Sequence, residues 1–101
     1  MASYTVASGQ VGAHGKTLVA STVDTVTFTG EDPPDVTVIS DGAAAVFYTV
    51  DGSTPTVNGA NCYLLPAGVV SSDRRLIPTA APAVVKLISS GTPTYSVQRE
   101  P

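Results

Sequence analysis

Charge is scarce in this sequence. Lys, Arg, Asp and Glu together make up 13% of its 101 residues, against about 25% in an average soluble domain. Solvated faces must therefore be built from Ser, Thr, Gly and Ala, and a surface so poor in charge tends to self-associate unless it is docked against something. The balance is acidic, with a formal net charge of −3. Phosphate binding needs clustered Lys and Arg, so no nucleic-acid partner is expected. Tryptophan is absent, and cysteine and histidine occur once each, as Cys62 and His14. A lone cysteine makes no internal bridge; beside Tyr63, Leu64 and Leu65 it reads as a buried structural thiol. No uninterrupted apolar run approaches the ~20 residues that cross a bilayer as a helix. The amino end has no basic region followed by an apolar run, so no secretory signal is expected. These absences describe a chain made in the cytoplasm, without a membrane partner, that stays soluble or joins an assembly.

Catalytic groupings are equally sparse. His14 lies in "VGAHGKT", among glycines and outside any recognisable strand, and no G-x-S-x-G nucleophile elbow exists for it to serve. "GAHGKT" lacks the first glycine of a phosphate loop at the required spacing. Glu31, Asp32 and Asp35 bracket Pro33-Pro34. A glycosidase pair needs a walled pocket, which an exposed Pro-Pro turn does not supply. The expectation is no enzyme and no cofactor.

What the sequence does hold is alternation. "TVTFT" (25–29) puts Val26 and Phe28 on one face, "DVTVIS" (35–40) Val36 and Val38, "AVFYTV" (45–50) Val46, Tyr48 and Val50, and "TYSVQ" (94–98) Tyr95 and Val97. A period of two with β-branched and aromatic residues marks half-buried antiparallel strands. "AVVKLIS" (83–89) is nearly continuous, broken by Lys86, which either guards against stray pairing or reaches solvent from a central strand. Shorter candidates are "KTLVA" (16–20), "YLL" (63–65) and "RRLI" (74–77). The fold expected is all-β: a single small antiparallel β-sandwich, Ig-like, or a compact barrel, of about seven or eight strands.

Turn chemistry punctuates these runs. Asp41-Gly42 predicts a hairpin, and Ser90-Gly91 with Thr92-Pro93 predicts a second between "VVKLIS" and "TYSVQ". Pro33-Pro34 and Asn58-Gly59 mark further turns. In "VFYTVDGSTPT", Asp51 is suited to an Asx-turn, Gly52 to a positive φ, and Pro55 to keeping the segment out of a central strand. The rival is a calcium loop through Asp51, Ser53 and Asn58 or Asn61. Calcium takes six to eight oxygens and usually several carboxylates, so no metal is expected at this single acid. Arg74-Arg75, the only adjacent basic pair, reads as a solvated turn beside Asp73 and is kept as a candidate partner contact. Residues 1–15 are expected as a flexible N-terminal arm on a domain spanning 16–101. Two readings are open for the arm: a frayed terminus, or a segment that orders on docking, with Tyr4, Val6 and Val11 as apolar contacts and β-augmentation as the mode.

"YTVDGSTPT" (48–56) resembles a structural turn, "YTTDGSTPT", of small immunoglobulin-like domains appended to bacterial chitobiases and other secreted glycosidases. A wider resemblance runs from Leu18 to Val97. The order of "VDTVTFTG", "VTVISDGAAAVFYTVDGSTPTVNGAN", "YLLPAG" and "VVKLISSGTPTYSV" is similar to small all-β virion proteins of tailed actinobacterial phages. That resemblance implies a non-enzymatic capsid decoration protein on the capsid exterior, binding the major capsid protein or another virion protein, with itself as a further partner. The alternatives are a head–tail or tail accessory protein, or a carbohydrate-binding module. The last would want an aromatic platform, and the four tyrosines, Tyr4, Tyr48, Tyr63 and Tyr95, stand on separate segments.

Overall fold

Alternate β-branched and aromatic residues commit the chain to strands, and a computed structural model, describing residues 1–29, 35–78 and 83–100, contains nine of them and no helix. They are β1 (Ser3–Val6), β2 (Gly12–Thr17), β3 (Asp24–Phe28), β4 (Asp35–Ser40), β5 (Val46–Thr49), β6 (Tyr63–Leu65), β7 (Ser71–Leu76), β8 (Val84–Ile88) and β9 (Thr94–Glu100). One sheet has the order β1-β3-β8-β5-β6 and the other β2-β9-β4-β7. Two open sheets make a sandwich rather than a barrel. All pairings are antiparallel except β1 with β3, which run parallel from Ser3 beside Thr25 to Val6 beside Phe28.

The core lies where the alternating residues meet. Val26 and Phe28 of β3, Val36 and Val38 of β4, Val46 and Tyr48 of β5, Val85 and Leu87 of β8, and Tyr95 and Val97 of β9 are all buried in one cluster. Burying one such side chain is worth ~1.5–3 kcal/mol, so the alternating positions supply the main drive for pairing the sheets. Phe47 and Ile88, opposite each other in the β5–β8 register, are also buried but lie outside that cluster. Their parity puts them on the outer face of the five-stranded sheet, so β5 is covered on both sides. Lys86, on the same outer face of a central strand, is partly exposed.

The connections differ from what the turn residues predict. Asp41-Gly42 does not close a hairpin: β4 and β5 belong to different sheets, as do β8 and β9 around Gly91. Of consecutive strands only β5 and β6 belong to the same sheet; every other consecutive pair is divided between the two sheets. The local chemistry at Asp41 is as expected, since its Oδ1 accepts the N–H of Ala43 at 3.0 Å. Gly42 has φ 81°, and a Cβ there would collide with the backbone carbonyl of Val69, so the arch needs glycine on two counts.

The amino-terminal segment is not a separate arm. Residues 3–6 form an edge of one sheet and residues 12–17 an edge of the other, Val6 is buried in the core, and Ala2 donates its N–H to Asp24 Oδ1 at 3.2 Å. His14, expected outside any strand, sits exposed in β2. The Pro33-Pro34 turn and the acids Glu31 and Asp32 lie outside the described residues.

Candidate interaction surface

Because the sheets are open, the sandwich has two lateral sides, each made of two edge strands. On one side β1 lies against β2; on the other, β6 lies against β7. The first side is closed by Lys16 of β2, whose ammonium sits 4.7 Å above the Tyr4 ring of β1. Beyond them, Arg99 of β9 reaches the carbonyls of Val6 and Ala7 at 3.4 and 3.2 Å and stands 5.4 Å from the Phe28 ring.

The second side is closed by a polar and aromatic group. In β7, Ser71, Asp73 and Arg75 point inward and are half-buried, while Ser72, Arg74 and Leu76 point out. Tyr48 donates its hydroxyl to Asp73 Oδ2 at 2.6 Å, and Arg75 Nε donates to the same oxygen at 2.8 Å. The Arg75 guanidinium lies 4.0 Å from the Tyr63 ring centroid, and the Tyr48 and Tyr63 rings are 5.6 Å apart. Burial first, and the Asp73 carboxylate second, raise the Tyr48 phenol well above its ordinary value. Arg74, outside, pairs with Asp35 of β4. The two arginines therefore stand back to back on a strand, as the short candidate 74–77 predicts, and not together in a solvated turn.

The segment 63–76 that builds this side also carries most of the exposed large apolar side chains. Leu64, Val69, Val70 and Leu76 are each more than half exposed, Val70 and Leu76 at 76% and 73%. Val69 and Val70 belong to one end of the sandwich, where the crossing loops 18–23, 41–45, 66–70 and 89–93 gather. Across those four loops Asp41 is the only ionisable residue, and Val19 is exposed there too. Of the candidate contacts read from sequence, Val11 is exposed in the β1–β2 loop, Tyr4 is partly covered by Lys16, and Val6 is buried. The parity of β7 and the gathering of the charge-poor loops were not legible in the sequence. "SSDRRL" carries no apolar alternation, and loop proximity is a property of topology.

The opposite end holds the long β5–β6 connection, residues 50–62. Asp51 Oδ1 accepts both the N–H and the hydroxyl of Ser53, at 2.9 and 2.6 Å, which holds its carboxyl below the usual range, the hydroxyl contributing most. Gly52 has φ 84° and Pro55 is buried, so Asp51, Gly52 and Pro55 form the turn expected of them. Thr49 donates to the Ser53 carbonyl at 2.6 Å, tying the turn to β5. Cys62 is partly rather than fully buried, with its thiol 3.3 Å from Asn61 Oδ1. A cleft of about 60 Å³ is lined by Thr49, Val50, Asp51, Asn61, Tyr63 and Pro78. Pockets for small molecules run from about 300 Å³ upward. Among the described residues no three His, Cys, Asp or Glu side chains gather as a metal site. No family model, curated protein or solved structure matches the chain.

Proposed function

We propose that this chain is a non-enzymatic structural protein of a tailed-phage virion, of the capsid decoration type, which docks on the outer surface of the assembled shell and stabilises it. The observation that carries the reading is the charge-poor loop end with exposed Val19, Val69 and Val70. Contiguous exposed aliphatic surface marks a face meant to be covered by protein, and the adjacent Val69 and Val70 supply it at this end, with Val19 exposed farther along the same end. The resemblance of residues 18–97 to phage virion proteins supplies the partner class, and the acidic balance suits the outside of a shell better than the side that faces DNA.

Docking works by mass action. A protein that binds only the assembled lattice stabilises that state by its binding free energy, and a specific contact covers ~800 Å² on each partner. Repetition over a symmetric lattice multiplies a modest contact into a robust particle. A neck or tail station uses the same surface and differs in copy number: a single ring of copies rather than one per few capsid subunits. A sugar-binding role is disfavoured by the aromatic arrangement. Tyr63 is the one exposed tyrosine, and Arg75 already occupies a face of its ring.

The test is a binding assay on particles stripped of this chain. Val19→Glu combined with Val70→Glu changes two exposed residues, so the fold should be retained to within about 0.5 kcal/mol for each substitution. Occupancy on the particles should fall more than tenfold. Full occupancy by the folded variant would remove this end of the sandwich from the account.

A further inference from the structure

Open sheet edges invite pairing with another chain, and proteins blunt them by shortness, bulges, Lys or Pro, or inward-pointing charges. Three of the four edges here are blunted in the first ways. β1 has four residues and β6 three. β2 has an irregular register between Ala13 and Lys16, where it leaves the β9 ladder. β7 is different. It has six residues, contains neither Lys nor Pro, and keeps an unbroken register with β4 from Asp35 beside Leu76 to Ser40 beside Ser71. Among the described residues its guards are charges alone: the inward pair Asp73 and Arg75, and the outward Arg74, which is already paired with Asp35 of its own chain. Such charges deter pairing when the approaching strand leaves them unmatched.

The sequence of β7 matches itself. Extending the sheet by a second antiparallel β7 about a two-fold axis must oppose inward residues to inward residues, because a one-residue slip turns every side chain to the other face. Three central registers meet this condition. Centring on residue 73 sets Asp73 against Asp73, and centring on residue 75 sets Arg75 against Arg75. Like charges directly opposite are destabilising. Centring on residue 74 sets Asp73 of each copy opposite Arg75 of the other, twice over. The outward Arg74 pair that then meets at the axis is already countered, because each Arg74 is bound to Asp35 of its own chain.

We propose that β7 is a self-association edge: two copies of this chain pair antiparallel through residues 71–76, centred on Arg74, joining their four-stranded sheets into one of eight strands. The partner is a second copy, chosen by charge complementarity within "SSDRRL" and by the regularity of this edge alone among the four. The interface is isologous and closes as a dimer. It adjoins the loop end assigned to docking at Val70 but uses different residues, 71–76, and it stands or falls independently of what larger surface the protein occupies.

Sedimentation equilibrium of the full chain over a concentration series tests it. The expected mass rises to twice the 10.2 kDa of one chain. Asp73→Arg alone, and Arg75→Asp alone, each place like charges opposite one another and should remain monomeric. Mixed together they restore both opposite-charge pairs, and the dimer should return as a heterodimer. Should either variant lose its β-sheet circular dichroism, Arg74→Cys in a Cys62→Ser background decides instead, since the two introduced thiols meet at the axis and should cross-link under mild oxidation. The proposal is overturned by a wild-type chain that stays monomeric to its solubility limit. It is equally overturned by folded charge variants that dimerise alone or fail to pair when mixed, or by a failure of Arg74→Cys to cross-link.

Discussion

Asp24 is the residue on which both sheets and the amino-terminal strand converge. It is 1% exposed, and it accepts the Tyr95 hydroxyl at Oδ2 from the opposite sheet and the Ala2 N–H at Oδ1. Tyr95→Phe leaves that buried oxygen without its hydroxyl partner. The expected cost is ~1–3 kcal/mol, read as a lowered urea midpoint with an unchanged slope. The phenols of Tyr95 and Tyr48 are both raised, first by burial and then by the carboxylates that hold them, Asp24 and Asp73. The sign follows from linkage. A folded-state value above the unfolded one means the folded chain holds these protons longer, so the stabilisation is fully present below the ordinary tyrosine value of about 10 and is lost as pH rises past it. Absorbance titration should therefore show two of the four tyrosines ionising only together with unfolding. Four independent phenolate steps in a chain that keeps its sheet signal would contradict the buried pairs. Tyr48 and Tyr95 were legible as core from their alternation, whereas Asp24 was not: nothing in "VDTVTF" distinguishes a buried acid from a solvated one.

At the scale of elements, the sequence carries strands better than it carries their neighbours. β4 runs over 35–40 as the period of two predicts, β3 lies one residue earlier than its run, and β9 starts where expected and extends two residues farther. Asp41-Gly42 reverses the chain as its chemistry requires, but a turn signal states that the chain turns, not which sheet it turns into. The crossing connections follow from the pairing of buried faces across the sandwich, a long-range effect. Tyr4 and Val6 are legible as a segment able to add a strand to a sheet, but four residues with two large apolar points are too short a period to show which sheet, and β1 adds to β3 of its own chain. Its role gives a clear prediction. Deleting residues 2–12 removes β1, the burial of Val6 and the Ala2 contact to Asp24. Val6 alone contributes ~1.5–3 kcal/mol, so the melting temperature should fall by several degrees or the chain should fail to fold. A deletion variant as stable as the full chain would restore the flexible arm that the sequence suggested.

The whole molecule is a sandwich whose two lateral sides and two ends are chemically unlike. One side is bridged by Lys16 and Tyr4, the other by Tyr48, Asp73, Arg75 and Tyr63. One end is charge-poor and apolar; the opposite end carries Asp51, Arg99 and Glu100. The described chain exposes 4978 Å², so a docking contact of ~800 Å² on its side leaves room for a second contact through β7. The proposed docking role predicts where the protein resides. The most direct measurement is its copy number in purified virions, from quantitative gel densitometry against the major capsid protein. The account predicts about one copy per few capsid subunits, with particles stripped of the chain losing resistance to heat and low salt. Virions that contain none of it, or stripped particles as robust as intact ones, would contradict the account.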